Sequence, residues 1–110
     1  MERLKVFLHQ LYECRKGVRP IALCTLPKCC IEAACEKLRK EQFAYIVRSV
    51  NGDKFNLFFG EEKCLEVLKL FGDKPLNLFT AEEDFILGTM LGYSIGEQCK
   101  RYCIKQQNTA

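Results

Sequence analysis

The sequence predicts an α+β fold: one domain over residues 1–110, with a small sheet of about three strands packed by four to five helices. Three observations carry that expectation. Asn51-Gly52 separates two apolar runs, FAYIVRSV and DKFNLFF, as the favoured two-residue turn of a hairpin does. Around it lie segments whose apolar residues recur at helical spacing, two of them opened by capping-box signals, Thr80-x-x-Glu83 and Ser94-x-x-Glu97. Finally, 110 residues with 48% hydrophobic and 28% charged side chains suffice for one buried core, and no repeat or linker divides them.

Taken in order, Leu4, Phe7, Leu8, Leu11 and Tyr12 form an apolar stripe that predicts a helix over residues 2–15. Arg15 and Lys16 suit its last turn, Gly17 its C-cap, and Pro20 prevents continuation. Ile21 to Leu26 is a short apolar run, expected as a buried strand. Pro27 suits the first position of a second helix, with Ile31, Ala34, Cys35 and Leu38 facing inward. A two-residue turn at Asn51-Gly52 would pair Ile46 with Leu57 and Arg48 with Phe55 on one face, and Tyr45 with Phe58 on the other. Bulky apolar groups on both faces call for helices on more than one side of the sheet. Residues 61–71 form an amphipathic helix through Cys64, Leu65, Leu68 and Phe71, ended by Gly72. GDKPLN reads as a turn. Two capped helices follow, with Gly92 between them, and the tail QQNTA is expected to fray.

Composition narrows the function classes. There is no apolar run long enough to span a membrane, and His9 and Gln10 interrupt the N-terminal apolar stretch that a signal peptide would need. A cytoplasmic location is therefore expected. Eight cysteines, at 14, 24, 29, 30, 35, 64, 99 and 103, mostly replace apolar residues within helical patterns, so reduced thiols acting as small hydrophobes are expected. Net charge is only +3, but residues 1–40 hold nine Lys or Arg against four Asp or Glu, while residues 60–85 hold three against seven. A field so divided steers an acidic partner.

Each candidate chemistry has a structural alternative. Cys24, Cys29, Cys30 and Cys35, or Cys99 and Cys103 at helical i,i+4 spacing, could gather thiolates, but the short C-x2-C pairs of structural zinc sites are missing. Cys35 and Cys103 are placed on apolar stripes. No metal ligand and no cofactor is assigned. Cys29 and Cys30 lie at a helix start beside Lys28, where a thiol is acidified, yet no C-x-x-C motif accompanies them. His9 is the one histidine and nothing places a nucleophile beside it. Glu82, Glu83 and Asp84 complement a helix N-terminus, and Gly88, Gly92 and Gly96 form no phosphate loop. No catalytic residue is assigned, and the reading leans away from an enzyme.

EEDFILGTMLGYSIGEQCKRYC is similar to the helix–turn–helix segments of bacterial regulators. On that alternative Gln98, Lys100, Arg101 and Lys105 would face a major groove. The acidic start of the preceding helix and the missing third helix argue against nucleic acid.

YECRKGVRPIALCTLP, VNGDKFNLFFG and EEDFILGTMLGY, with Gln98-Cys99 after it, resemble a small bacterial family of domains of unknown function, over nearly the whole chain. The resemblance implies a single α+β domain with no established activity, encoded beside flavodoxin and so linked to electron transfer. Near position 24 the family favours a histidine where this chain has Cys24, which further weakens a metal site there. Flavodoxins are acidic. The expectation is thus a non-enzymatic accessory or protein-binding module that meets an acidic redox partner such as flavodoxin through Arg15, Lys16, Arg19, Lys37, Arg39 and Lys40. The alternatives are a DNA-binding regulator and a cysteine-based metal or thiol redox protein. Oligomeric state is left open.

Overall fold

The computed structural model describes residues 2–108. Its elements are α1 (Glu2–Arg15), β1 (Ile21–Pro27), α2 (Lys28–Lys40), β2 (Ala44–Ser49), β3 (Lys54–Gly60), α3 (Glu62–Leu70), a 3-10 turn (Leu76–Leu78), α4 (Ala81–Met90) and α5 (Ile95–Asn108). This is an α+β domain. The sheet has three strands in the order β1-β3-β2, with β3 antiparallel to both neighbours.

β3 organises the interior. Leu57, Phe58 and Phe59 are consecutive and all buried, so their side chains enter cores on opposite faces. On one face Ala22, Cys24, Leu26, Leu57 and Phe59 pack with Phe7 and Leu11 of α1 and with Cys30, Ala34, Cys35 and Leu38 of α2. Phe7 meets Phe59 edge-on, with centroids 5.2 Å apart. On the other face Ile21 and Phe58 pack with Leu65 and Leu68 of α3, with Phe79, and with Leu87 and Leu91 around the end of α4. The sheet is covered on both sides, as its two-faced apolarity required.

The hairpin register differs by one residue from the expectation. Tyr45 pairs with Phe59, Ile46 with Phe58, Val47 with Leu57 and Arg48 with Asn56. A two-residue I′ turn needs positive φ at both central positions. Neither Asn51 nor Gly52 has it. Instead the Asn51 side-chain oxygen accepts from the backbone N–H of Asp53 at 2.9 Å and of Lys54 at 3.1 Å. That local turn lengthens the loop, and the N–H of Val50 bonds to the carbonyl of Lys54 at 2.9 Å. The shift places Tyr45 with Leu57 and Phe59 on the α1–α2 face and Ile46 with Phe58 on the α3–α4 face.

Helix ends follow the sequence signals closely. Gly17 and Gly92 adopt φ of +76° and +83°. After each, a 6→1 bond closes the helix: Val18 N–H to Glu13 O at 2.9 Å and Tyr93 N–H to Gly88 O at 3.1 Å. α2 ends in the same way with Gln42, a side-chain-bearing residue at φ +62°. The Thr80–Glu83 capping box is complete. That of Ser94 is half formed, its hydroxyl accepting from Glu97 N–H at 3.5 Å. Pro27 caps α2 from the last position of β1, rather than standing first in the helix. The N–H of Lys28 is taken by Asp53 O of the hairpin at 2.9 Å.

Three further expectations are corrected. On α1, Leu8 and Tyr12 are exposed, and the inner stripe runs through Leu4, Phe7, Leu11 and Cys14. Cys103 is exposed rather than buried, on an apolar surface shared with Phe85, Ile86, Cys99 and Tyr102. The tail continues α5 through Gln106, Gln107 and Asn108, and residues 109–110 lie outside the described residues.

Candidate functional site

The C-terminal ends of α1 and α2 lie together. Arg15 of α1 and Lys37 of α2 both bind the Glu41 carboxylate, the lysine at 2.9 Å. These two cations hold the Glu41 carboxyl below its usual range, Lys37 most strongly. Arg19, beyond α1, reaches Glu13 at 3.3 Å. Arg39 donates to the Tyr45 hydroxyl at 2.8 Å and to Glu36 at 3.1 Å. Lys16 lies over the Tyr12 ring, 5.6 Å from its centroid, and Lys40 is exposed. Of these six cations, four are ion-paired with Glu13, Glu36 and Glu41, and Val18, next to Arg19, is exposed. Arg19 is the least available of the six: it is half-buried, its Nε has no partner, and its Cβ packs against Gly92.

Between these helix ends and the start of α3 opens a cleft of about 470 Å³, lined by Cys14, Arg15, Arg19, Phe43, Glu61 and Glu62. Burial pushes the Cys14 thiol up to about 11, with Arg19 opposing and Glu13 adding to the shift. A thiol so raised is a poor nucleophile at neutral pH. Gly60 closes the cleft's inner edge. A Cβ there would overlap the backbone of Pro20, and its φ is +140°, so only glycine fits.

The other thiols are dispersed. Cys24, Cys30 and Cys35 are in the core, Cys64 is intermediate, and Cys29, Cys99 and Cys103 are exposed. Burial raises both Cys35 and Cys64 above the ordinary thiol value. Cys29 and Cys30 approach within 3.8 Å on the first turn of α2. Among the described residues, no group of three or more His, Cys, Asp or Glu is placed to hold a metal ion. His9 is on the surface of α1, 3.9 Å from Glu13.

α4 and α5 form a hairpin, and the residues considered for nucleic acid are placed unevenly on it. Gln98 is buried, 3% exposed. Arg101 grips Asp84 of α4 with two bonds, 2.9 and 3.1 Å, and Lys105 approaches the same carboxylate at 3.4 Å. Arg101 chiefly holds the Asp84 carboxyl below its ordinary range. Only Lys100 points outward, 3.9 Å from Glu97. Presenting this set to a groove would require undoing the contacts that hold α5 to α4.

A family profile matches residues 5–105, described as "Protein of unknown function (DUF2023)". The chain belongs to this DUF2023 family. The match covers every strand and nearly all of α1 and α5, so the whole domain is the DUF2023 unit. No curated protein matches the chain. Among the described residues, no helix is long and apolar enough to cross a membrane.

Sequence reasoning found the basic cluster, because cations favour helix C-termini and two helices ended nearby. It missed the inward placement of Gln98. The available signal was Gly88, a helix-interior glycine whose missing side chain makes room for another group.

Proposed function

We propose that this DUF2023 protein is a non-enzymatic accessory module of the cytoplasm that docks on an acidic redox protein such as flavodoxin. One observation carries the reading: Arg15, Lys16, Arg19, Lys37, Arg39 and Lys40 come to one end of the fold from two separate segments. Lys16 and Lys40 are the exposed contributors free of ion pairs among the described residues, and Val18 offers an apolar anchor 65% exposed. Positive charge beside an exposed apolar residue suits an acidic surface and speeds encounter more than it adds final affinity.

Binding of the intact protein to purified flavodoxin, measured calorimetrically over a series of salt concentrations, tests this. Affinity should fall as ionic strength rises through about 0.15 M, where the screening length is about 8 Å. Lys16→Glu combined with Lys40→Glu should weaken binding about tenfold without changing the melting temperature. Binding indifferent to both salt and these substitutions, or no binding at all, would defeat the proposal. A low-salt gel shift abolished by Lys100→Ala would instead favour nucleic acid.

A further inference from the structure

We propose that the cleft between α4, α5 and the sheet binds a small planar ring carrying a cyclic amide or amidine edge, the hydrogen-bonding pattern of a nucleobase or lactam. The proposal is independent of the docking reading, since it uses none of the cations at the ends of α1 and α2. The cleft is about 510 Å³, within the range of small-molecule sites.

Gln98 forms its floor and is the only polar or charged residue buried in the described structure. Its side-chain amide has no hydrogen-bond partner among the described residues, although the backbone N–H of Gln98 is bonded to Ser94 O at 3.0 Å. The amide atoms are not among the fully enclosed unpaired ones, so they open onto the cleft, where solvent is their partner until a ligand replaces it. The amide lies over Gly88 so closely that a Cβ there would overlap it. Glycine inside a helix is itself unfavourable. A helix-interior glycine and an inward-turned amide therefore meet at one point, and the first makes room for the second to face the cavity.

The chemistry of the walls narrows the ligand. A glutamine amide offers one donor and one acceptor side by side, which pairs in-plane with a ring edge offering the reverse. Leu23, Phe79, Leu87 and Leu91 supply apolar surface for the faces of such a ring. The Arg101–Asp84 pair stands at the rim with donors and an acceptor fixed in place. That combination, apolar walls with the Gln98 amide below and Asn77, Asp84, Arg101 and Lys105 around them, orients a flat heterocycle by its polar edge.

The test is NMR titration of the isotope-labelled full chain with uridine and with adenosine, each against its ring-methylated analogue whose pairing edge is blocked. At least one nucleoside should shift the resonances of Gly88, Leu91 and the Gln98 side-chain amide, and its blocked analogue should bind about tenfold more weakly, the loss expected for one or two hydrogen bonds. Gln98→Met should weaken binding about tenfold while keeping or raising the melting temperature. The blocked analogues act on the wild-type chain, so the result does not depend on the variant folding. No cleft shift with either nucleoside, equal binding of the blocked forms, or unchanged binding by Gln98→Met would each overturn the proposal.

Discussion

At the residue scale, two positions expose local conflicts with measurable consequences. Gln42 ends α2 in the left-handed region, at φ +62°, where side chains are strained by about 1–2 kcal/mol. It is exposed, so nothing in the packing demands glutamine there. Gln42→Gly should raise stability by about 0.5–1 kcal/mol in urea unfolding, part of the strain relief being offset by glycine's greater unfolded-state entropy. The thiols form the second case. Cys29, Cys99 and Cys103 are exposed, whereas Cys24, Cys30 and Cys35 are in the core. Brief alkylation of the native protein at pH 8, read by mass spectrometry, should modify the first three and spare the second three. Cys14, raised from 9.0 to about 11, should carry about a hundredfold less thiolate than an ordinary cysteine there and react correspondingly slowly. Rapid labelling of Cys14 would show that its burial is not maintained in solution.

At the scale of elements, α5 is the most weakly anchored helix. The one buried residue of α5 is Gln98, and its other ties to α4 are polar or partly exposed. Arg101 binds Asp84, the Tyr102 hydroxyl donates to Glu82 at 2.9 Å, and the Tyr102 ring meets Phe85 edge-on at 5.8 Å. The two carboxyls that bind α5 are both held low: Glu82 first by Tyr102, Asp84 first by Arg101. A depressed carboxyl favours the folded state above its ordinary value, 4.5 for Glu and 3.8 for Asp, and that support is lost as pH falls below it. Amide exchange in α5 should therefore accelerate below about pH 4.5, once corrected for intrinsic rates, before protection in β3 changes. Asp84→Asn should reproduce the loosening at neutral pH, at a cost of up to about 1 kcal/mol for this partly exposed pair. Equal pH response in α5 and β3 would mean that the hairpin and sheet unfold as one unit.

At the scale of the whole molecule, β3 is the wall common to both cores. Phe59 is fully buried between the sheet and α1, and its neighbour Phe58 fills the opposite side. Phe59→Ala should cost about 3–5 kcal/mol, and the loss should appear as one cooperative transition reported equally by probes on α1 and α3. Two separated transitions would instead show that the cores are independent. The same arrangement explains where function is available. With both faces of the sheet covered, open sites lie at the edges, among them the ends of α1 and α2, where cations collect, and the cleft between the α4–α5 hairpin and the sheet.

The helices and strands, their order and most of their ends were legible in the chain, because apolar spacing, glycine punctuation and the Thr80–Glu83 box act through neighbours in sequence. So was the convergence of Arg15, Lys16 and Lys37 toward helix C-termini, which follows the dipole. Tertiary structure decided the rest. The Asn51 side chain accepting from the N–H groups of Asp53 and Lys54, rather than a tighter turn, set the register and so which face each strand residue meets. The inward turn of Gln98 onto Gly88, and the capture of Arg101 by Asp84, depend on how two helices dock. Periodicity records which residues share a face, but the partner of that face is chosen by contacts between segments distant in the chain.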